Sequence, residues 1–85
     1  MPLFLFKEQA MKIYIGVTAY INPEGVQTPK SVTWEDGSVY EIDRILSAKE
    51  RGFEICYRVL MYGREKLLFL GEDGRWFVEA PTQSL

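Results

Sequence analysis

Apolar and polar residues alternate in several stretches of the chain, most clearly over residues 12–21. The apolar residues at every second position there are Ile13, Ile15, Val17, Ala19 and Ile21. β-Branched and aromatic residues at a period of two are typical of a half-buried strand. The sequence Asn22-Pro23-Glu24-Gly25 then has the residue types of a turn, so we expect the chain to reverse there.

The second half of the alternating pattern predicts further strands joined by short turns. Residues 30–35 and 38–47 flank Asp36-Gly37, a strong hairpin signal, and a bend near Arg44 is expected because Ile45 and Leu46 stand side by side. Ser47-Ala48-Lys49-Glu50 matches a helix-capping pattern, but Gly52 follows too soon, which predicts a loop. Three more strands are predicted over residues 53–61, 66–70 and 75–79.

No helical period of ten or more residues interrupts these strands, so the pattern predicts an all-β fold. We expect a small SH3-like barrel or a strongly curled antiparallel meander of five or six strands. An OB-like barrel is the alternative, disfavoured because no helix is predicted between the third and fourth strands. The predicted domain covers residues 12–80, with residues 81–85 as a tail.

Residues 1–11 are predicted to be an N-terminal extension outside the alternating pattern. Met11 precedes the best strand as an ordinary translation start would. One interpretation is therefore that the natural start lies at Met11 and that the extension is largely disordered. The other is that the apolar residues 3–6 pair as an extra edge strand with a neighbouring chain.

The composition excludes several classes of function but assigns none. The 85 residues include one cysteine and no histidine, and the formal charge is −2. These counts exclude an intramolecular disulfide, histidine-based catalysis and histidine-containing metal sites. The longest apolar stretch has nine residues, against about 20 needed to cross a bilayer. We expect a cytoplasmic protein with no membrane association and no cofactor.

Three short motifs carry a resemblance to a known group of proteins. They are Trp34-Glu35-Asp36-Gly37, Tyr40-Glu41-Ile42-Asp43-Arg44 and Trp76-Phe77-Val78-Glu79. The pattern resembles a family of small uncharacterised bacterial proteins and covers about residues 11–79. The resemblance implies no established activity.

The residues that could carry catalysis have simpler structural roles. Glu41 and Asp43 lie two apart on a predicted strand, about 7 Å from each other, which suits a carboxylate pair as well as a solvated strand face. Cys56 is expected to pack as a small apolar residue, and no carboxylate spacing predicts a metal site. The sequence therefore favours a protein that is not an enzyme.

Charge and aromatic content suggest two binding functions. Residues 44–66 contain six cations and three carboxylates, a local +3, so the remainder carries −5. A basic face that holds phosphates beside an aromatic ring would include Arg44, Tyr57, Arg58, Arg64 and Lys66. Twelve aromatic residues are also too many for so small a core, and exposed aromatic patches mark partner surfaces. The main prediction is a binding module for a protein partner or for self-association, including a homodimer; nucleic-acid binding is the alternative.

Overall fold

The computed structural model describes residues 10–81, and every regular element in that range is a β-strand. The strands are β1 (Ala10–Ile21), β2 (Gln27–Thr33), β3 (Val39–Glu41), β4 (Arg44–Arg51), β5 (Glu54–Met61), β6 (Arg64–Leu70) and β7 (Trp76–Pro81). The predicted all-β fold is confirmed. The strands number seven because residues 42 and 43 divide one long predicted strand into β3 and β4.

Strand β4 departs from the sequence prediction at one point. Ser47-Ala48-Lys49-Glu50, expected to form a loop, continues the strand, because each of its residues pairs with one on β5. Cross-strand pairing here outweighs the local capping pattern. The register of β4 against β5 shifts between Ile45 and Ser47, and this bulge is the bend expected near Arg44.

All strand pairs are antiparallel, and the sheet order is β3-β2-β1-β7-β6-β5-β4. The first and last strands therefore lie side by side. The two edges are linked by residues 42 and 43: the amide of Ile42 donates to Lys30 O on β2, and the amide of Asp43 donates to Leu60 O on β5. These bonds draw the edges towards each other, so the sheet is strongly curled. The finer SH3-like arrangement stays a prediction.

The main core lies on the concave side of this sheet. Its buried residues are Val32, Tyr57, Val59, Leu68, Leu70 and Trp76. Half-buried residues of β1 pack against them, including Ile15 and Val17. They belong to the alternating series that predicted this strand. Burial of one face of each strand provides the main stabilisation of a half-exposed sheet.

Both ends of the described chain belong to the sheet. Strand β1 begins at Ala10, opposite Pro81 of β7, and Met11 lies opposite Ala80. Residues 10, 11 and 81 are thus strand residues, although the sequence prediction placed them in the terminal extensions. The rest of the predicted extension and tail lies outside the described residues. Within residues 10–81, no helix is long and apolar enough to span a membrane.

Candidate functional site

Strands β6 and β7 pair with each other at one end and separate towards the other. Within residues 10–81, two pairs join them, Phe69 with Phe77 and Leu70 with Trp76. On their other sides, β6 pairs with β5 and β7 pairs with β1 along their full lengths. Residues 64–68 and 78–81 therefore each have one edge that joins no ladder in the described part of the chain. Free strand edges are templates for an additional strand.

A cavity of about 660 Å³ opens where β6 and β7 separate. Its apolar wall includes Ile13, Val32, Trp34, Met61, Leu68 and Val78. Arg64, Glu65, Lys66 and Glu79 also border it, but the carboxylates of Glu65 and Glu79 pair with Arg58 and Arg51 on the outer side of the sheet. Cavities of roughly 300–1,000 Å³ with apolar walls and a few polar groups are typical ligand sites. We call this cavity, together with the two strand edges that join no ladder within residues 10–81, the β6–β7 cleft.

Tyr62 lines the cleft from the turn between β5 and β6, in a backbone conformation that is rare for an aromatic residue. Its φ is 52° and that of Gly63 is 74°. Two successive positive φ angles are typical of a type I′ hairpin turn, whose first position favours Asn, Asp or Gly. Left-handed backbone costs a residue with a Cβ atom about 1–2 kcal/mol. Such strain is common at binding sites, where surrounding contacts hold it in place.

The ring of Tyr62 is also unusually open to solvent. It is 70% exposed and meets the ring of Tyr40 edge to face, with centroids 5.7 Å apart and planes at 85°. Tyr40 also lines the cleft, as does the half-buried Trp34. Three aromatic side chains thus stand at one mouth of the cavity. Tyrosine and tryptophan in such positions supply large contact areas at low entropic cost.

The four cations of the predicted basic face lie on two sides of the sheet. Arg58 pairs with Leu67, whereas the adjacent pair joins Val59 and Lys66. Because Val59 is fully buried in the core and successive residues alternate between faces, Lys66 belongs to the inner side and Arg58 to the outer side. The strand register therefore separates the predicted set.

The other two predicted cations, Arg64 and Arg44, also lie on opposite sides of the sheet. Arg64 pairs with Met61, two residues from Val59, and therefore lies on the same side as Lys66, beside the cleft. Arg44 is exposed at the start of β4, opposite Leu60, on the outer side with Arg58. An ion pair of 3.7 Å also joins Arg58 to Glu65. The local excess of cations seen in the sequence does not form one continuous face.

Tyr57, the aromatic residue of the predicted set, belongs to the core. It is 4% exposed, its ring lies 5.2 Å from that of Trp76, and its hydroxyl donates to Gln27 O at 2.9 Å. Burial raises the pKa of this hydroxyl. Tyr57 therefore connects β5 to β2 across the inside of the sheet, and its ring is not available for stacking on a surface ligand.

A second apolar cluster lies on the outer face of the sheet. Phe69 and Phe77 are 2% and 1% exposed, although they are not part of the inner core. Their rings are stacked with centroids 5.3 Å apart, and Tyr14 meets Phe77 edge-on at 5.8 Å. The three rings form a row across β6, β7 and β1.

A cation covers each ring of this row, which explains how outward-facing aromatic residues come to be buried. Lys12 lies 4.6 Å from the centroid of Phe77, and Arg51 lies 4.2 Å from that of Phe69. Arg75 lies 3.7 Å from the centroid of Tyr14. The aliphatic parts of such side chains cover apolar surface while their charges remain in water.

Carboxylates compensate these cations. Arg51 Nη2 lies 2.7 Å from Glu79 Oε2 and 2.8 Å from Glu54 Oε1, and Lys12 Nζ lies 3.4 Å from Glu54 Oε2. The two carboxylates raise the pKa of Arg51, and Arg51 lowers the pKa of Glu54. A depression of about 460 Å³ beside them is lined by groups of both signs, including Asp73. The three cations that cover the aromatic rings therefore each lie within 4 Å of a carboxylate, of Glu54, Glu79 or Asp73.

Cys56 lies beside the same cluster, opposite Phe69. It is half-buried and borders a depression of about 410 Å³ together with Arg51 and Arg58. Burial raises the pKa of the Cys56 thiol, so the neutral thiol prevails at neutral pH. This environment is that of a packing residue and does not activate a nucleophile.

Glu41 and Asp43 are exposed and occupy different local structures. Glu41 ends β3 opposite Ser31, whereas Asp43 lies in the link to β4. Neither lines the three cavities above. The carboxylate pair considered from the sequence therefore lacks the enclosed setting in which paired carboxylates do acid–base chemistry.

No family model, curated protein or solved structure matches this chain. The resemblance to small bacterial proteins stays a prediction.

Sequence reasoning did not find the β6–β7 cleft. Neither Trp34 nor Tyr62 is among the site residues predicted from the sequence. A usable signal was present: Tyr62-Gly63 occupies a two-residue turn between two strands, where Asn-Gly would be expected. The separation of β6 from β7 has no counterpart in the local pattern, because both strands alternate normally.

Proposed function

We propose that this protein is a non-catalytic binding module that takes an extended apolar segment of a protein partner into the β6–β7 cleft. The observation that carries the proposal is that two strand edges without a ladder partner among residues 10–81 border an apolar cavity of about 660 Å³. Main-chain hydrogen bonds to a strand edge provide affinity for an extended peptide. Pockets for alternate side chains provide its specificity.

The aromatic residues at the mouth support the same function. Tyr62 is both highly exposed and held in an unfavourable backbone conformation, and the contact with Tyr40 fixes its ring beside the cavity. Exposed tyrosine and tryptophan residues at the edge of a pocket are frequent hot spots for protein binding.

Nucleic-acid binding through a basic face is less well supported. It would need Arg44, Arg58, Arg64 and Lys66 to act together, and the strand register assigns them to two sides. Phosphate contacts would also give an affinity that falls steeply with salt. Titration of the full chain with single-stranded and duplex oligonucleotides at two salt concentrations therefore tests this alternative directly.

The proposal is tested by following backbone amide NMR signals during a peptide titration. The probe is the blocked hexapeptide Lys-Val-Phe-Val-Phe-Lys, and the control peptide, Lys-Val-Pro-Val-Pro-Lys, lacks the amides needed for a ladder. Both are added to the full chain and to a full-length variant with Leu3→Asp and Leu5→Asp, which lacks the apolar run of residues 3–6. We expect the probe to shift signals of residues 64–68 and 78–80.

A matched pair of substitutions links binding to the cleft. Tyr62→Asn should weaken probe binding about tenfold, or 1.4 kcal/mol, without loss of stability, because asparagine suits a positive φ. Tyr20→Asn removes another exposed aromatic side chain, from β1 and outside the cleft, and should leave binding unchanged. The proposal is refuted if the probe shifts no cleft signals in either protein, or if Tyr20→Asn and Tyr62→Asn have equal effects.

A further inference from the structure

The inner face of strand β6 changes from charged to apolar along the cleft. Its residues, at every second position, are Arg64, Lys66, Leu68 and Leu70. Leu68 and Leu70 are buried in the core, whereas Arg64 and Lys66 are exposed. The two cations therefore lie towards the mouth of the cavity, beside Tyr62, and the apolar residues lie towards the end at which β6 pairs with β7. We call Arg64 and Lys66 the inner cations.

The neighbouring strands present apolar residues to the inner cations. On β5, Met61 is opposite Arg64 and Val59 is opposite Lys66. Directly opposed residues of an antiparallel pair are the closest cross-strand neighbours. Strand β7 also presents apolar residues inwards, at alternate positions of residues 76–80. The inner cations thus border an apolar wall on both sides.

The carboxylates nearest to the cavity are engaged on the outer side of the sheet. Glu65 lies 3.7 Å from Arg58, and Glu79 lies 2.7 Å from Arg51. Among residues 10–81, no ion pair includes either of the inner cations. The inner side of the cleft therefore carries two positive charges that the described part of the chain does not compensate.

We propose that the partner segment bound by the β6–β7 cleft carries an aspartate or glutamate two residues away from an apolar side chain. This inference rests on the proposed function, since it names the chemistry of the segment that the same cleft takes up. A segment that adds to the edge of β6 places its alternate side chains about 5 Å from alternate residues of β6. The side chains opposite Lys66 and Leu68 are then two positions apart in the segment. The first meets a cation, and the second meets the apolar wall.

This arrangement fits an acidic polypeptide better than a nucleic acid. The inner cations occupy two alternate positions, about 7 Å apart, and the wall beyond them is apolar. A nucleic-acid strand is bound by a positively charged groove that follows its backbone, whereas a peptide with one acidic residue needs a charge only at the mouth. The whole chain has a formal charge of −2, so its long-range field favours cationic ligands. A preference for an acidic peptide would therefore have to come from local cations.

A pair of peptides that differ only in their end charges tests this inference. The blocked peptide Glu-Val-Phe-Val-Phe-Glu is compared with the lysine-ended probe in the same NMR titration of the natural full chain. Its first residue shares a face with both phenylalanines. The glutamate peptide should bind about tenfold more tightly at low salt, because attraction replaces repulsion at two cations. The difference should decrease at high salt, since exposed charges are screened.

Two double variants assign the preference to its source. Arg64→Gln combined with Lys66→Gln should make the two peptides bind equally. Arg44→Gln combined with Lys49→Gln lowers the charge of the chain by the same amount, at two exposed positions outside the cleft. This control should keep the roughly tenfold preference for the glutamate peptide.

The outcomes separate this inference from the proposed function. Equal binding of the two peptides to the natural chain, with shifts of cleft signals, would overturn the inference and leave the proposed function standing. A preference that survives the loss of both inner cations, or that the control variant also loses, would overturn it as well. Shifts by neither peptide would refute both. A single-stranded oligonucleotide that shifts the cleft signals at lower concentration than the glutamate peptide would assign the inner cations to phosphates, and cleft signals that shift on dilution of the chain alone would assign the cleft to a second copy; either result overturns the inference.

Discussion

The substitution Phe77→Leu tests whether the outer aromatic row, which consists of Phe69, Phe77 and Tyr14, stabilises the fold as a second core. The Phe77 ring is stacked on Phe69, receives the edge of Tyr14 and lies under the ammonium group of Lys12. Leucine keeps the apolar character of the position and removes all three ring contacts. The substitution therefore isolates the aromatic contribution better than alanine does.

The expected loss is about 2–3 kcal/mol of unfolding free energy. A hydrophobic replacement of similar size costs up to about 1.5 kcal/mol in packing. Each aromatic pair adds about 0.5–1.5 kcal/mol beyond buried area, and the contact with Lys12 adds about 0.5 kcal/mol at an exposed site. Because leucine retains part of the packing, the expected loss of unfolding free energy is smaller than the sum of the upper limits of these contributions.

Urea unfolding, followed by tryptophan fluorescence, measures this loss. With a slope of about 1 kcal/mol per molar urea for a small domain, the midpoint should fall by roughly 2–3 M. Phe53→Leu provides the control, because Phe53 is 82% exposed and its replacement should change stability by less than about 0.5 kcal/mol. If Phe77→Leu has as small an effect as Phe53→Leu, the outer row is not a stabilising core.

Three further substitutions or modifications test individual contacts. Arg51 holds the pKa of Glu54 below its ordinary value of 4.5. The Glu54 carboxylate therefore stabilises the fold above that pH and loses this contribution as the pH falls through the folded-state pKa. Between neutral pH and about pH 3, the urea midpoint of Glu54→Gln should consequently fall less than that of the natural chain. Tyr57→Phe should cost about 1 kcal/mol in urea unfolding, because it removes the hydrogen bond to Gln27 O. Cys56 should react with iodoacetamide more slowly in the folded protein than in urea, since burial raises its pKa and limits access; equal rates would contradict the packing role.

The sequence predicted those parts of the fold that depend on local alternation. Ile13, Ile15, Val17 and Ala19 are half-buried at every second position, as the pattern indicates. The turn after Ile21 also lies where Asn22-Pro23-Glu24-Gly25 placed it. In these stretches, local preference and tertiary packing act in the same direction.

Features that depend on contacts between distant strands could not be predicted. Phe69 and Phe77 occupy alternating outward positions, and their burial requires cations brought from other strands, such as Arg51. The division of the basic residues follows from the register of β5 against β6, which a count of charges does not contain. The cleft likewise depends on where two strands cease to pair. Each of these features depends on contacts between residues that are far apart in the sequence, whereas the sequence patterns used for prediction extend over only a few residues.

The pairing of Ala10 with Pro81 means that the backbone could be closed into a ring by a short linker. Opposed residues in an antiparallel pair are about 5 Å apart, and exposed turns are the preferred positions for new ends in a circular permutant. Asp36-Gly37 lies in such an exposed turn, between β2 and β3. A chain that is opened there and joined from Pro81 to Ala10, without residues 1–9 and 82–85, would preserve every strand pair of the described fold.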